Sequence, residues 1–253
     1  MLLPKGKAGR FAYKTLHPDM GSNANGHNMS TVLDAMVVGA GPVGLSMGGA
    51  LASQGLRVRV IDSGTGPVKE SRAIGIQTRT IEVFQMQGIA GEFLRLGHRI
   101  HGVTIYGEKG TRKGHLSFDL LPSRYPFLLT LAQSETERIL GGRLEALGVT
   151  IERETSLRSF EQSDHEVYAH LARSNGAQEE VYCHWLIGCD GAHSTVREAL
   201  SRMVKNLRRG RVFVLGDAAH VHGSTPALYL IKPFPFLGPL PSVIRRHSTG
   251  LCA

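Results

Sequence analysis

Val37-Val38-Gly39-Ala40-Gly41-Pro42-Val43-Gly44-Leu45-Ser46-Met47, followed by Gly55 and by Leu56-Arg57-Val58-Arg59-Val60-Ile61-Asp62, is the stretch that decides the fold. Ala35 to Val38 reads as a short buried strand, the glycines as a turn, Val43 to Gln54 as a helix ended by Gly55, and Leu56 to Ile61 as a second strand. A strand, tight turn, helix and strand within about 30 residues form the minimal parallel unit. Gly39 permits the tight turn, Gly41 lets backbone approach a pyrophosphate, and Gly44 allows the helix to pack closely on the strand. The helix N-terminus then offers unpaired N–H groups and the positive end of its dipole to phosphates. Asp62 falls 18 residues after Gly44, at the end of the second strand. A carboxylate there accepts hydrogen bonds from a ribose and repels a 2′-phosphate, so FAD or NAD fits this turn and NADP does not.

Outward from this unit, Arg79 to Gln87 reads as an amphipathic helix with Ile81, Phe84 and Met86 available for burial, ended by Gly88. Strands at His101 to Tyr106, His115 to Asp119 and Phe127 to Leu131, with Gly, Pro and Ser between them, suggest an antiparallel excursion. A helix from Ser134 to Ala146 places Glu135, Glu137 and Arg138 outside and Ile139, Leu140 and Leu144 inside, with Ser134 as N-cap and Glu137 closing a capping box. It leads to a strand at Val149 to Glu152. Ser156 to Gln162, Glu166 to Ala172 and Glu179 to Tyr182 form a three-stranded meander with a turn at Ser174-Asn175-Gly176. A separate strand, Trp185 to Gly188, runs into Cys189-Asp190-Gly191-Ala192-His193-Ser194 and a helix that includes Val196 to Leu200. A last strand, Arg211 to Leu215, runs into Gly216-Asp217-Ala218-Ala219-His220. Beyond Ser224 no helix or strand period is visible, and five of the 11 prolines fall in the last 28 residues.

With 42% hydrophobic residues over 253 positions, the chain is long and apolar enough for a packed core and excludes a disordered protein. Its net charge of +8 is unevenly placed. Residues 1–28 carry +3 and residues 201–253 carry +7, whereas residues 29–200 sum to −2. A basic binding surface is more usually built into the fold itself. The run Lys205, Arg208, Arg209 and Arg211 has no aromatic residue interleaved in sequence and reads as a solvated loop, so no nucleic-acid partner is expected. Cys183, Cys189 and Cys252 form no CxxC pair, which points to a reducing, cytoplasmic setting. No run of about 18 uninterrupted apolar residues exists, so no membrane span is expected. His220 and His222 lack further ligands at metal spacing, so no metal site is expected. Residues 1–28 read as a disordered or misassigned leader. Cys189 reads as a small buried hydrophobe rather than a nucleophile.

Four ordered segments carry a resemblance to the FAD-dependent aromatic hydroxylases, the single-component flavoprotein monooxygenases. They are the glycine fingerprint; Glu70-Ser71-Arg72-Ala73-Ile74-Gly75-Ile76 with Arg79-Thr80; Leu131-Ala132-Gln133 ahead of its helix; and the paired Asp-Gly and Gly-Asp motifs at residues 189–194 and 211–220. The resemblance implies that Gly39, Gly41, Gly44, Asp62, Arg72, Gln133, Asp190, Gly191, Gly216 and Asp217 hold FAD, with Asp217 on the ribityl chain and Arg72 near the pyrophosphate. By the residues alone, Asp190 reads equally as a turn or helix N-cap residue, Arg72 as a solvated arginine and Gln133 as a cap. The resemblance further implies hydroxylation of an aromatic or phenolic small molecule with O2, NAD(P)H being a transient reductant. No catalytic side chain is assigned.

The expected fold is α/β: a Rossmann-like FAD-binding domain with a three-stranded meander and an incomplete antiparallel substrate-binding sheet. Its plan is a leader (1–28), the first part of the FAD-binding domain (29–100), a partial substrate-binding sheet (101–132), the second part of the FAD-binding domain (133–222) and an irregular Pro-rich tail (223–253). Only about ten residues, Leu200 to Gly210, separate the Asp-Gly helix from the Gly-Asp strand, where the family carries much of its substrate sheet. The segment Val221 to Leu228 also departs from the family's Pro- and Gly-rich loop beside the flavin ring. An internally deleted member with an altered C-terminus is the expectation.

Overall fold

In the computed structural model the described residues are 32–67, 75–200, 208–219, 230–231 and 244. In chain order the elements are β1 (Leu33–Val38), α1 (Pro42–Ala52), β2 (Val58–Ile61), β3 (Gly75–Ile76), α2 (Thr78–Met86), α3 (Ala90–Leu96), β4 (His98–Ile100), β5 (Gly102–Tyr106), β6 (Arg112–Ser117) and β7 (Leu128–Thr130). There follow α4 (Gln133–Ala146), β8 (Ile151–Glu152), β9 (Thr155–Gln162), β10 (Val167–Arg173), β11 (Gln178–Gly188), α5 (Thr195–Ala199), β12 (Arg208–Arg209), β13 (Val212–Val214), a 3-10 turn (Gly216–Ala218) and β14 (Leu230–Ile231). The expected leader, Arg72, Lys205, His220, His222, Cys252 and most of the tail lie outside the described residues.

The main sheet runs in the order β12-β13-β11-β1-β2-β8, and β1 is parallel to both β11 and β2. Nearly all of β1 is buried because both faces of its sheet are covered, which is why Ala35 to Val38 reads as a continuous apolar run. Ala35 and Val37 pack with Leu45, Met47, Leu51, Leu140 and Leu144 on the helix side. Met36 and Val38 pack with Leu157, Phe160, Val167, Ala169 and Leu171 of the meander on the other side. The parallel sheet is thus the middle of three layers, and a strand pattern with period two sends alternate residues into two separate cores.

Residues 178–188 form one eleven-residue strand, not the two expected. Its first half pairs antiparallel with β10 in the meander, and its second half pairs parallel with β1 and β13. No turn former interrupts Tyr182-Cys183-His184-Trp185, and Cys183 is fully buried as a small hydrophobe, so the alternation continues through. The Ser174 to Gly176 turn is where expected, closed by Gly176 N–H on the Arg173 carbonyl with Gly176 at φ +87°.

Four local expectations are corrected. Met86 is 80% exposed, because it lies two positions beyond buried Phe84 and so on another side of α2. Phe84 instead stacks on Phe93 of α3, an additional helix, with ring centroids 4.4 Å apart. Helix α4 starts at Gln133 with Ala132 as N-cap and no side-chain cap. Glu137 is buried rather than outside and accepts a 2.8 Å hydrogen bond from Gln133 Nε2, so it turns inward and forms no capping box with Ser134. The first excursion strand is β5, and an unexpected short strand, β4, precedes it. Only β5 and β6 form a separate two-stranded sheet, while β7 joins β4, β3 and β14. In the tail, Leu230–Ile231 pairs parallel with β3, and Ile244 is buried in the helix-side core. A two-residue strand is too short to leave a period in the sequence.

Candidate cofactor site

Three loops meet beyond the C-terminal ends of β1, β11 and β13, the position where open α/β sheets bind ligands. Gly39 has φ +103°, and a Cβ on it would lie 2.5 Å from the Cys189 carbonyl oxygen. A Cβ on Gly44 would lie 1.8 Å from the Gly39 carbonyl oxygen, and one on Gly216 (φ +63°) 2.7 Å from Val43 Cγ2. These three glycines are therefore demanded by the chain's own packing. Gly41 differs: its φ is −75° and a Cβ there would meet nothing within 4 Å. The space it leaves open lies at the start of α1, which carries no acidic residue in its first turn. That geometry and charge suit a pyrophosphate, so the residues present fit the nucleotide that the sequence suggests.

Asp62 stands beside this turn. Its Oδ2 accepts Ala40 N–H at 2.6 Å, its Oδ1 accepts Gly64 N–H at 2.8 Å, and Arg153 Nη1 lies 3.3 Å from Oδ1. A carboxylate has about four acceptor sites, so capacity remains for ribose hydroxyls. Ser194 is the N-cap of α5, and Asp190 braces it from the preceding turn: its carboxylate accepts Ser194 Oγ at 2.5 Å, Thr195 N–H at 2.7 Å and Val196 N–H at 3.3 Å. Ser194 in turn accepts Arg197 N–H at 3.0 Å. Gly191, at φ +79°, lets the chain reverse between Asp190 and α5. Asp217 is exposed on the Gly-Asp turn, and Gln133 is buried against Glu137.

Arg197, in the helix after the Asp-Gly motif and not among the expected site residues, links two of the loops. Its Nη2 donates to the Ala192 carbonyl at 2.6 Å, and its Nη1 to those of Ala218 and Asp217 at 2.9 and 3.3 Å. The sequence signal was only its place three residues after Ser194. Arg153, which follows β8, had no local signal at all. Burial pushes the Cys189 thiol up, with Asp190 adding to the effect, so this residue is an uncharged filler. Among the described residues no group of three His, Cys, Asp or Glu side chains could hold a metal ion. The basic run does meet aromatic rings: Arg208 lies 5.2 Å from the centroids of Trp185 and Phe213, and Arg211 lies 5.0 Å from Trp185. Trp185 is 2% exposed, so it anchors guanidinium groups rather than offering a face to a base.

The chain matches the family model of the FAD binding domain over residues 32–205 and belongs to that family, the cofactor domain of the FAD-dependent aromatic hydroxylases. It is 40% identical over 167 residues to 6-methylpretetramide 4-monooxygenase of Streptomyces rimosus, covering 65% of this chain and 30% of that protein. It is 34% identical over 179 residues to pentachlorophenol 4-monooxygenase of Sphingobium chlorophenolicum, covering 70% and 33%. A solved structure of p-nitrophenol 4-monooxygenase from Pseudomonas putida superposes with a TM-score of 0.64 at 25% identity, covering 68% of this chain and 44% of that one. The complex of aklavinone-11 hydroxylase with FAD and aklavinone gives 0.58 at 31% identity, covering 66% and 34%. The chain spans about a third of the length of the curated relatives it matches.

Proposed function

We propose that this chain is the FAD-binding part of a monooxygenase that hydroxylates an aromatic or phenolic small molecule with NAD(P)H and O2, working in the cytoplasm. The open space at Gly41, beside glycines 39, 44 and 216 that the chain's own packing demands, is the observation that carries it. In this reading the Gly41 turn and the N-terminus of α1 hold the pyrophosphate, and Asp62 accepts the adenosine ribose hydroxyls. Asp217, held in place from behind by Arg197, accepts from the ribityl chain. Arg72 and Gln133 complete the contacts, while Asp190 and Gly191 shape the loop instead of bonding through a free carboxylate. FAD supplies the redox chemistry when bound, and the protein's task is to position it and exclude water. The test is purification, addition of FAD and desalting: retained flavin absorbance in stoichiometric amount is expected, and its absence sinks the reading.

A second reading, a non-catalytic FAD-binding protein, is favoured by the β5–β6 hairpin. Ile105, Tyr106 and Leu116 on this two-stranded sheet are each more than half exposed, so among the described residues it walls no closed substrate cavity. Substrate-stimulated NADPH oxidation that yields a hydroxylated phenol supports the monooxygenase. Flavin binding with peroxide as the sole product of NADPH oxidation supports the second reading.

A further inference from the structure

The segment after β2 is zipped to the segment after β8. Asp62 N–H donates to the Glu152 carbonyl at 2.9 Å, Thr155 N–H to that of Asp62 at 2.9 Å, and Glu154 N–H to that of Gly64 at 3.1 Å. Glu154, between the last two, is the one described non-glycine residue with positive φ, at 55°. A left-handed non-glycine residue costs energy and persists where its surroundings fix it. The consequence is that Arg153 is held opposite the ribose-accepting carboxylate. Its Nη1 lies 3.3 Å from Asp62 Oδ1 and donates to the Gly66 carbonyl at 3.4 Å, and its side chain is only 21% exposed. Among the described residues nothing accepts from its Nε or Nη2. A guanidinium is planar, carries five donors and stacks on flat aromatic faces.

We propose that Arg153 is a second adenosine-binding residue, whose remaining donors and planar face meet the adenosine end of FAD while Asp62 holds the ribose. This rests on the FAD reading above. The division of labour is chemical: Asp62 supplies acceptors for ribose hydroxyls, and Arg153 supplies donors and a flat surface for the purine. Asp62 also sets the charge that Arg153 presents, since the pair is neutral as a whole and so suits a nucleoside without a 2′-phosphate.

The test is titration of the full chain with FAD and, separately, with AMP as the adenosine probe. Arg153→Ala is expected to weaken both by on the order of tenfold, the size of one good hydrogen bond to a charged group. Arg153→Lys keeps a cation beside Asp62 and so keeps stability, yet it lacks the planar fork and is expected to lose AMP affinity nearly as far. Unchanged AMP and FAD affinity in Arg153→Ala, or full AMP affinity in Arg153→Lys, overturns the proposal while leaving the FAD reading intact. A wild-type chain that binds neither FAD nor AMP fails the FAD reading itself, and the proposal with it. Should Arg153→Ala not fold, phenylglyoxal labelling of the wild-type chain decides: saturating AMP is expected to protect Arg153, and equal labelling with and without AMP overturns the proposal.

Discussion

Arg197 Nη1 donates to the main-chain carbonyl of Ala218 across 2.9 Å, tying α5 to the turn that carries Asp217. With its bonds to Ala192 and Asp217, one guanidinium fixes the distance between the Asp-Gly and Gly-Asp loops. Hydrogen bonds to charged donors are worth about 2 kcal/mol each when both ends are held. Arg197→Met keeps the side chain's length and removes the donors. It is expected to lower FAD affinity by about tenfold or more while costing about 2 kcal/mol of stability at most, because part of the guanidinium is exposed. Flavin fluorescence titration and urea unfolding check the two effects separately.

The two glycines of the first turn are expected to fail in opposite ways. Gly39→Ala drives a Cβ to 2.5 Å from a backbone oxygen at a φ of +103° and is expected to destabilise the chain by about 3 kcal/mol or more. Gly41→Ala meets nothing in the chain and should leave the unfolding midpoint unchanged while abolishing FAD binding. Loss of stability in Gly41→Ala would place the constraint within the protein instead of at a ligand.

Glu179 is hydrogen-bonded by Arg59 and Arg173, and Arg59 above all holds its carboxyl below the usual carboxylate value of 4.5. A depressed folded value means that the stabilisation is complete above that value and is lost as the pH falls through the depressed one. The prediction is an acid-side loss of stability that Glu179→Gln flattens. Urea midpoints measured at about pH 6 and about pH 3 should lie closer together in the variant than in the wild type. The effect is modest because the Glu179 side chain is 39% exposed.

Burial pushes the Cys183 thiol up to about 12, and that of Cys189 higher still. Neither is expected to react with iodoacetamide at about pH 8 until the chain unfolds, since the thiolate is the reactive form. Mass-mapped labelling with and without urea checks this.

The β1–α1–β2 unit, the meander turn at Gly176, Asp62 and the positions of the Asp-Gly and Gly-Asp motifs were legible because each is encoded within a few residues. Glycine spacing, period-two alternation and the end of a strand are local facts. Asp190 was legible as a residue, but its partners were not: its three donors come from the N-cap and first turn of the following helix, whose N-cap is Ser194.

The sequence by itself determined the parallel unit, the glycine turn and the carboxylate beside it, since steric permission at Gly39 and the alternation of β1 act over short range. Only the tertiary structure decided that β11 joins the antiparallel meander to the parallel strands of one sheet, that Glu137 turns inward to Gln133, and that Arg153 and Arg197 reach the site. Arg197 binds main-chain carbonyls, and every residue has one, so no side-chain pattern announces such a contact. Arg153 meets Asp62 across 91 positions of chain only because β2 and β8 lie side by side in the sheet. Neighbours that share a strand pair but no stretch of sequence are set by packing, and packing is where the rest of this site was written.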